Sequence, residues 1–265
     1  MRLCYGDAMP SSVWQEAIVF VAAFIAGMIN SVAGGGTLVS FPALLWIGRD
    51  PIVANVTSTA ALWPGSLGGM LGFRRELGDS RRWMVLLAGP SVLGGLVGAM
   101  LLLRTPSRVF GSLVPYLILF ATVLFAAQEP IARRLRRGRP EGHVTDSRWW
   151  VGAAVFQLFV ALYGGYFGAG IGILMLAALG LLGLGDIHQM NGLKNFFAVC
   201  VNLVAAVYFM LWGPVNWLDA VVMAIAAIGG GYGGAGLARR LGREFVRRVV
   251  IVIGCAMTIS LLLRG

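Results

Sequence analysis

The sequence predicts an all-α integral membrane protein with about eight transmembrane segments in two inverted-topology repeats. Three observations support this prediction: the chain is strongly apolar, its second half repeats its first, and its arginine-rich loops change sides between the halves. Hydrophobic residues form 58% of the 265 residues and charged residues form 12%, with a mean hydropathy of +0.82. Soluble domains are about a quarter charged. Several uncharged stretches approach the roughly 20 residues that a helix needs to cross a bilayer.

The basic residues are distributed as loop charges. A formal net charge of +10 would suit a nucleic-acid-binding surface. The arginines, however, lie in short tracts between apolar stretches, as expected for loops held at one membrane face. We therefore expect the lipid bilayer as a partner and no nucleic acid.

The two halves of the chain match at an offset of 136 residues. The offset pairs Asp50 with Asp186 and Asn55 with Asn191, and such polar matches carry more weight than matched glycines in an apolar chain. The repeat predicts three parts. They are a first membrane repeat at 13–128, a cytoplasmic Arg-rich linker at 129–148 and a second membrane repeat at 149–263.

Each repeat is predicted to start with a Gly-broken helix or re-entrant hairpin, followed by three longer helices. Breaks at residues 33–36 and 164–172 divide the two starting segments. The predicted helical pieces are 13–31, 38–47, 51–73, 83–103 and 109–128 in the first repeat, and 149–164, 173–184, 187–212, 217–238 and 245–263 in the second.

Loop charges set the predicted orientation, because short arginine-rich loops stay in the cytoplasm. The loop at 74–82 carries four arginines, whereas its counterpart at 213–216 carries no basic residue. The next loop reverses the bias, with five arginines at 239–248 in the second repeat. We therefore expect the linker and residues 239–248 in the cytoplasm and both termini outside. Each Gly-broken segment must then cross an even number of times, as a re-entrant hairpin or as two short spans.

The two glycine breaks are the first candidate binding elements. Irregular backbone at membrane depth is tolerated only where protein or a water-filled cavity covers it. The helix after a break presents free N–H groups and the positive end of its dipole, which favours an anion. Glycines that only allow close helix packing remain the alternative. The candidate residues at the breaks are Asn30, Ser31, Gly34, Gly35, Gly36, Thr37, Gly168 and Gly170.

Lys194 is the only lysine and lies about 10 Å into a predicted helix. An ammonium group there needs a counter-charge, a cavity or an anionic substrate, although its long stem could also carry it to the cytoplasmic interface. Polar residues near it, or at the equivalent depth of the first repeat, could donate hydrogen bonds to an oxyanion or to a neighbouring helix. They are Asn191, Asn195, Asn202, Thr57 and Ser58.

The pattern does not favour an enzyme or a bound cofactor. The apolar stretches hold no nucleophile–base pair, metal-ligand cluster or intramembrane acid pair, and the acids lie near helix ends or in loops. Asp50 and Asp186 each precede a predicted helix, which is typical of N-caps. The glycine-rich run at 229–236 lacks the strand–turn–helix context of a dinucleotide site and is attributed to close helix packing.

Two regions of the chain, one in each half, carry a family resemblance. The first contains the run from Ala26 to Thr37 (AGMINSVAGGGT) and the segment Pro42-Ala43-Leu44-Leu45. The second contains the segments Gly192-Leu193-Lys194-Asn195 and Gly213-Pro214-Val215-Asn216-Trp217. They resemble the sulfite exporter TauE/SafE family of membrane permeases, and the resemblance covers nearly the whole chain. It implies about eight membrane segments in two repeats and the export or uptake of sulfite, sulfonates or related sulfur-containing anions.

Together these features predict a multi-pass permease of the bacterial inner membrane with a small anionic substrate, such as sulfite. A passive anion channel remains the alternative, because the scarcity of buried carboxylates suits a channel, while inverted repeats and paired breaks suit alternating access. We expect no cofactor, and a homo-oligomer remains open.

Overall fold

The computed structural model describes residues 13–32, 35–72, 80–137, 147–181, 184, 187–241 and 243–264. Every regular element in these ranges is an α-helix, in agreement with the all-α prediction. The helices are α1 Val13–Val32, α2 Thr37–Trp46, α3 Pro51–Gly72, α4 Arg81–Arg104, α5 Ser107–Arg137, α6 Ser147–Tyr166, α7 Ile171–Leu181, α8 Ile187–Trp212, α9 Trp217–Leu241 and α10 Arg243–Arg264.

The helix bounds follow the predicted pieces closely, with one difference at the end of α5. This helix continues to Arg137, nine residues past the predicted end of the first repeat at Gln128. The reason is that charge marks the edge of the bilayer and does not end a helix, since arginine is a good helix former in water. The first part of the predicted linker is therefore helical, and residues 138–146 lie outside the described residues.

The helices of the two halves correspond in order, and the halves interlock. Helices α1–α5 begin 134 to 136 residues before their counterparts in α6–α10. Helix α1 packs against α9 and α4 against α6, while α2 packs against α10 and α5 against α7. Replacing each helix by its counterpart in the other half turns the α1–α9 contact into the α6–α4 contact and the α2–α10 contact into the α7–α5 contact. Each half thus completes the packing surface of the other.

The glycine breaks reverse the direction of the chain. The Asn30 side-chain oxygen Oδ1 accepts the Gly36 N–H at 2.8 Å beside the break, and Gln15 Nε2 donates to the Ile47 carbonyl at 3.4 Å near the far ends of α1 and α2. These two contacts place α1 and α2 side by side as an antiparallel helical hairpin. Helices α6 and α7 also pack against each other across the second break.

One end of the helix bundle gathers the connections that precede α3, α5 and α9. Ser107 Oγ donates to Asp50 Oδ1 at 3.1 Å, and the Asn216 N–H donates to Thr57 Oγ1 at 3.0 Å. Asp50 Oδ1 also accepts the Ile52 N–H at 2.9 Å, which confirms Asp50 as the N-cap of α3.

The starts of α4, α6 and α8 meet at another set of contacts. Gln189 Nε2 donates to Ser80 Oγ at 2.9 Å, and the Trp83 and Trp150 rings pack with centroids 4.8 Å apart. The start of α3 therefore lies with the end of α8, while the start of α8 lies with the residue that precedes α4. Asp186, predicted as the N-cap of α8, lies outside the described residues.

The outer surface of the bundle is apolar. Large hydrophobic side chains such as Val85, Val123, Phe159 and Ile225 are exposed. Among the described residues, four stretches are long and apolar enough to cross a bilayer. They are Val13–Asn30, Arg81–Arg104, Ser107–Ala127 and Gln189–Trp212. These features agree with the prediction of an integral membrane protein.

Small residues bring the interlocked helices into backbone contact, as predicted for the glycine-rich run at 229–236. A Cβ atom added to Gly98 on α4 would lie 2.7 Å from the Tyr166 backbone nitrogen and 3.0 Å from the Gly165 carbonyl carbon on α6. On α9, Gly230 approaches the backbone of Phe24 on α1 in the same way. Close contact of this kind is how helices associate in lipid.

Replacing Gly98 by alanine is expected to lower the stability of the protein by about 1–3 kcal/mol, because the new methyl group overlaps backbone atoms of α6. Gly89→Ala is the matched control on the same helix, since no atom lies within 4 Å of a Cβ added there. Thermal unfolding in detergent compares the two variants. Equal melting temperatures would show that the α4–α6 contact does not depend on Gly98.

Candidate functional site

The two glycine breaks lie against neighbouring turns of α5. Gly35 has φ +97° and faces the Phe125 ring, whose Cε2 lies 2.7 Å from an added Cβ. Gly170 has φ +77° and lies against Ala121, whose Cα is 3.5 Å from an added Cβ. Ala121 and Phe125 are one helical turn apart. The fold therefore brings together two breaks that are far apart in sequence.

The second break is held by its own hydrogen bonds. The Tyr163 carbonyl accepts the N–H groups of Phe167 and Gly168 at 2.9 and 3.2 Å, and Tyr163 Oη donates to the Ala169 carbonyl at 2.7 Å. Gly168 has φ +80°, a left-handed conformation that glycine adopts without strain. The predicted residues Gly168 and Gly170 thus shape the turn between α6 and α7.

Lys194 lies along the first turn of α7. Its Cδ atom is 3.3 Å from the position of a Cβ added to Gly172, the second residue of α7. Its ammonium nitrogen Nζ donates to Asn191 Oδ1 at 3.1 Å. The absence of a side chain at Gly172 makes room for the lysine stem. The structure thereby brings together a cationic side chain and a helix N-terminus, two features that attract anions.

The other polar residues of α8 are partly exposed within the bundle. Asn191, Asn195 and Asn202 are neither fully buried nor fully exposed, and each makes further polar or packing interactions. Their spacing of four and seven residues keeps them near one face of α8. Of these three residues, Asn191 accepts the hydrogen bond from the Lys194 ammonium group described above and so orients that side chain.

Thr57 and Ser58 are completely buried and already engaged. Thr57 Oγ1 accepts the Asn216 N–H, and Ser58 Oγ lies 2.8 Å from Ser40 Oγ on α2. These contacts fix the connection before α9 and join α2 to α3. The sequence alone could not indicate these partners, because Asn216 and Ser40 are distant from Thr57 and Ser58 along the chain.

The residues of the first break are described in part. Asn30 holds the Gly36 N–H, and Gly36 is buried against the Ala26 carbonyl of α1. Thr37 begins α2 and is partly exposed. Gly34 and the side chain of Ser31, both predicted as site residues, lie outside the described residues.

Asn55 joins the first repeat to the second break. Its Nδ2 donates to the Tyr166 carbonyl at 3.0 Å, at the end of α6. Its Oδ1 is buried and has no hydrogen-bond donor within the described part of the chain. Burying an unpaired acceptor costs about 1–3 kcal/mol. The sequence pairs Asn55 with Asn191 and predicts a polar residue able to bond a neighbouring helix, and the structure identifies that partner as the end of α6.

Comparison with known proteins identifies the family. A model of the family described as sulfite exporter TauE/SafE matches residues 19–261. The chain belongs to this family. The match spans both halves of the TauE/SafE protein and includes both breaks and Lys194, so the resemblance noted in the sequence is confirmed.

The relatives of this TauE/SafE protein are named as membrane transporters. A probable membrane transporter protein of Haemophilus influenzae is 28% identical over 245 residues, covering 91% of this chain and 92% of the relative. ORF9 of a Sinorhizobium species is 28% identical over 251 residues, covering 93% and 92%. YunE of Bacillus subtilis is 27% identical over 264 residues, covering 91% and 96%. No solved structure matches the chain.

A buried ion pair at one end of the bundle was not foreseen. Arg49 Nε and Nη2 donate to Asp219 Oδ2 and Oδ1 at 2.8 and 3.1 Å, and Asp219 is 2% exposed. Asp219 lies near a helix end, as the sequence predicted for the acids, but its carboxylate is buried. Nothing in the sequence indicated this burial, because the partner of Asp219 lies 170 residues away in sequence. The pair connects the α2–α3 corner to α9.

Arg49→Ala is expected to destabilise the protein by about 3–5 kcal/mol, because it leaves the Asp219 carboxylate buried without its counter-charge. Adding Asp219→Asn removes that charge and should recover part of the loss. Arg108→Ala, at an exposed position in the first turn of α5, is the control. Chemical or thermal unfolding in detergent measures all three. A melting temperature for Arg49→Ala equal to that of the control would contradict the assignment.

Proposed function

We propose that this TauE/SafE protein transports a small anion, a sulfur-containing oxyanion or sulfonate such as sulfite, across the bacterial inner membrane. The observation that supports this proposal best is Lys194 lying along the first turn of α7 at the second glycine break. The family description as a sulfite exporter supports the sulfur-containing class of substrate.

The electrostatics of this position favour an anion. The N-terminus of α7 carries a partial positive charge, and Lys194 adds a full one beside it. In the low-dielectric interior of the bundle the two act on an anion more strongly than they would in water. Asn191 orients the lysine ammonium group through an amide oxygen, which carries no charge of its own.

The remaining predicted residues have supporting roles in the proposal. Asn195 and Asn202 would offer amide N–H donors to an oxyanion along α8, and Thr37 a hydroxyl at the start of α2. Gly168 and Gly170 form the turn that leads into the N-terminus of α7. Thr57, Ser58 and Asn30 would act indirectly, by fixing the helices around the site.

We also propose that the two halves form inverted-topology repeats. Thr57, in the second turn of α3, contacts the connection that follows α8, whereas Gln189, in the first turn of α8, contacts Ser80 before α4. Equivalent helices would then run in opposite directions. The interlocked contacts of α1 with α9 and α4 with α6 support two halves that move against each other around a common site, which is typical of secondary transporters.

Proteoliposomes containing the protein are expected to take up at least one labelled anion saturably, with sulfite, thiosulfate, sulfate and a small sulfonate as the panel. Lys194→Ala should raise the anion concentration needed for half-maximal uptake about 10- to 100-fold. A hydrogen bond to a charged group contributes about 1.5–3 kcal/mol, and each 1.4 kcal/mol is a factor of ten in affinity. Arg108→Ala removes one exposed positive charge and serves as the control.

The result distinguishes three cases. Saturable uptake with counterflow supports a transporter, whereas uptake without saturation or counterflow supports a passive channel. Absence of uptake for every anion in a folded preparation would contradict the anion class, and unchanged uptake by Lys194→Ala would contradict the role of Lys194.

The inverted repeat predicts the sides on which single cysteines are labelled. In a background without native cysteines, Gly138→Cys should react only after the inner side of the membrane is opened, and Gly265→Cys should react from outside. A membrane-impermeant maleimide on intact cells measures both. Labelling of the two positions from the same side would contradict the proposed topology.

A further inference from the structure

The end of the bundle where α4 and α6 begin carries an arginine held over an aromatic ring. The Arg82 guanidinium carbon Cζ lies 4.8 Å from the centroid of the Trp150 ring, and the Trp83 ring packs against Trp150 with centroids 4.8 Å apart. A cation over an indole face is attracted by the negative quadrupole of the ring. Arg82 belongs to the first half and Trp150 to the second, so this contact crosses between the halves.

The charge of this arginine remains available to a further partner. Arg82 and its neighbour Arg81 are both exposed, and within the described part of the chain neither is paired with a carboxylate. The indole ring covers a face of the Arg82 guanidinium, whereas the N–H groups lie in the guanidinium plane and point outward from its edge. This planar fork of donors matches the oxygens of a phosphate group.

The arginines lie at the level of the lipid headgroups. Helix α4 is an apolar stretch of 24 residues that is long enough to cross a bilayer. At 1.5 Å per residue it is about 36 Å long, which exceeds a hydrocarbon thickness of about 30 Å and leaves its first residues at the interface. Tryptophans such as Trp83 and Trp150 are enriched at the same level. In the proposed topology this end of α4 faces the cytoplasmic leaflet.

The surface of α4 that continues from Arg82 into the bilayer is apolar. Val85 and Leu86 follow Arg82 by three and four residues, which places them on the same face of the helix, and both are exposed. Further along this face, Leu93 is also exposed, and no atom lies within 4 Å of a Cβ added to Gly89. The missing side chain at Gly89 leaves a shallow depression in an apolar strip that begins beside a cation.

We propose that Arg81 and Arg82 bind the phosphate group of an anionic phospholipid whose acyl chain lies along α4 over Leu86 and Gly89. Basic sites at the cytoplasmic ends of membrane helices are suited to such headgroups. A zwitterionic lipid fits less well, because its own cation is repelled by two unpaired guanidinium groups. Since Trp150 of the second half holds Arg82, the bound lipid reinforces the contact between α4 and α6.

Thermal unfolding in a non-ionic detergent, after removal of lipid and without any substrate anion, tests this site. Dioleoyl phosphatidylglycerol and dioleoyl phosphatidylcholine have the same acyl chains and differ in headgroup charge. Phosphatidylglycerol is expected to raise the melting temperature saturably, by roughly 5–10 °C at about 100 times its Kd, and phosphatidylcholine much less. Glycerol phosphate, which has the anionic group but no acyl chain, should produce no shift at the same concentration.

Two variants separate a specific site from general attraction by charge. Arg82→Ala should lose most of the increment that phosphatidylglycerol produces over phosphatidylcholine. Arg108→Ala should keep it, because Arg108 is likewise exposed and the second residue of its helix but lies on α5. Each increment is measured within one variant, so a change in the stability of the variant itself cancels. In the wild type, added NaCl should reduce the increment, since salt screens exposed charges.

Equal shifts by the two lipids in the wild type would overturn the lipid site. An increment that survives Arg82→Ala would also overturn it, as would one that is lost equally in Arg108→Ala or one that does not change with salt. A shift produced by glycerol phosphate would replace the lipid by a soluble anion. Because no substrate anion is present, these results do not depend on whether the protein transports anions.

Discussion

The backbone groups freed by the two glycine breaks have to find partners inside the protein, because hydrocarbon offers none. Most features of the fold follow from this constraint. Asn30 takes an N–H at the first break, the Tyr163 carbonyl takes two at the second, and Asn55 reaches across from the other half to the Tyr166 carbonyl. The second break is therefore held by residues from both halves, whereas the hydrogen bond described at the first break comes from its own half.

Close packing between the two halves also covers the backbone near the breaks. Glycines on α4 and α9 let α6 and α1 approach to backbone contact, which covers the helices that lead into the breaks. In lipid, where helix association gains little from the hydrophobic effect, such close contact is a main source of stability. The buried pair of Arg49 and Asp219 joins the halves at one end and ties the corner before α3 to α9.

The two halves place chemically different residues beside the second break. The asparagine stayed at both equivalent positions, while its neighbour three residues on is a lysine in one half and a serine in the other. Lys194 adds positive charge where a helix begins, and Asn55 donates a hydrogen bond where a helix ends. Helix dipoles make these two places electrostatically opposite.

The sequence by itself determined the helices, the breaks and the repeat, because apolarity, glycine and a fixed offset are local or periodic signals. It also placed Lys194, the only lysine, inside the helix that became α8. It could not locate the end of α5, since arginines that leave the bilayer still continue a helix. Only the tertiary structure decided which polar groups are engaged. Asn55 meets a carbonyl 111 residues away and Asp219 an arginine 170 residues away, and contacts between such distant residues depend on how the two halves pack, which no local pattern encodes.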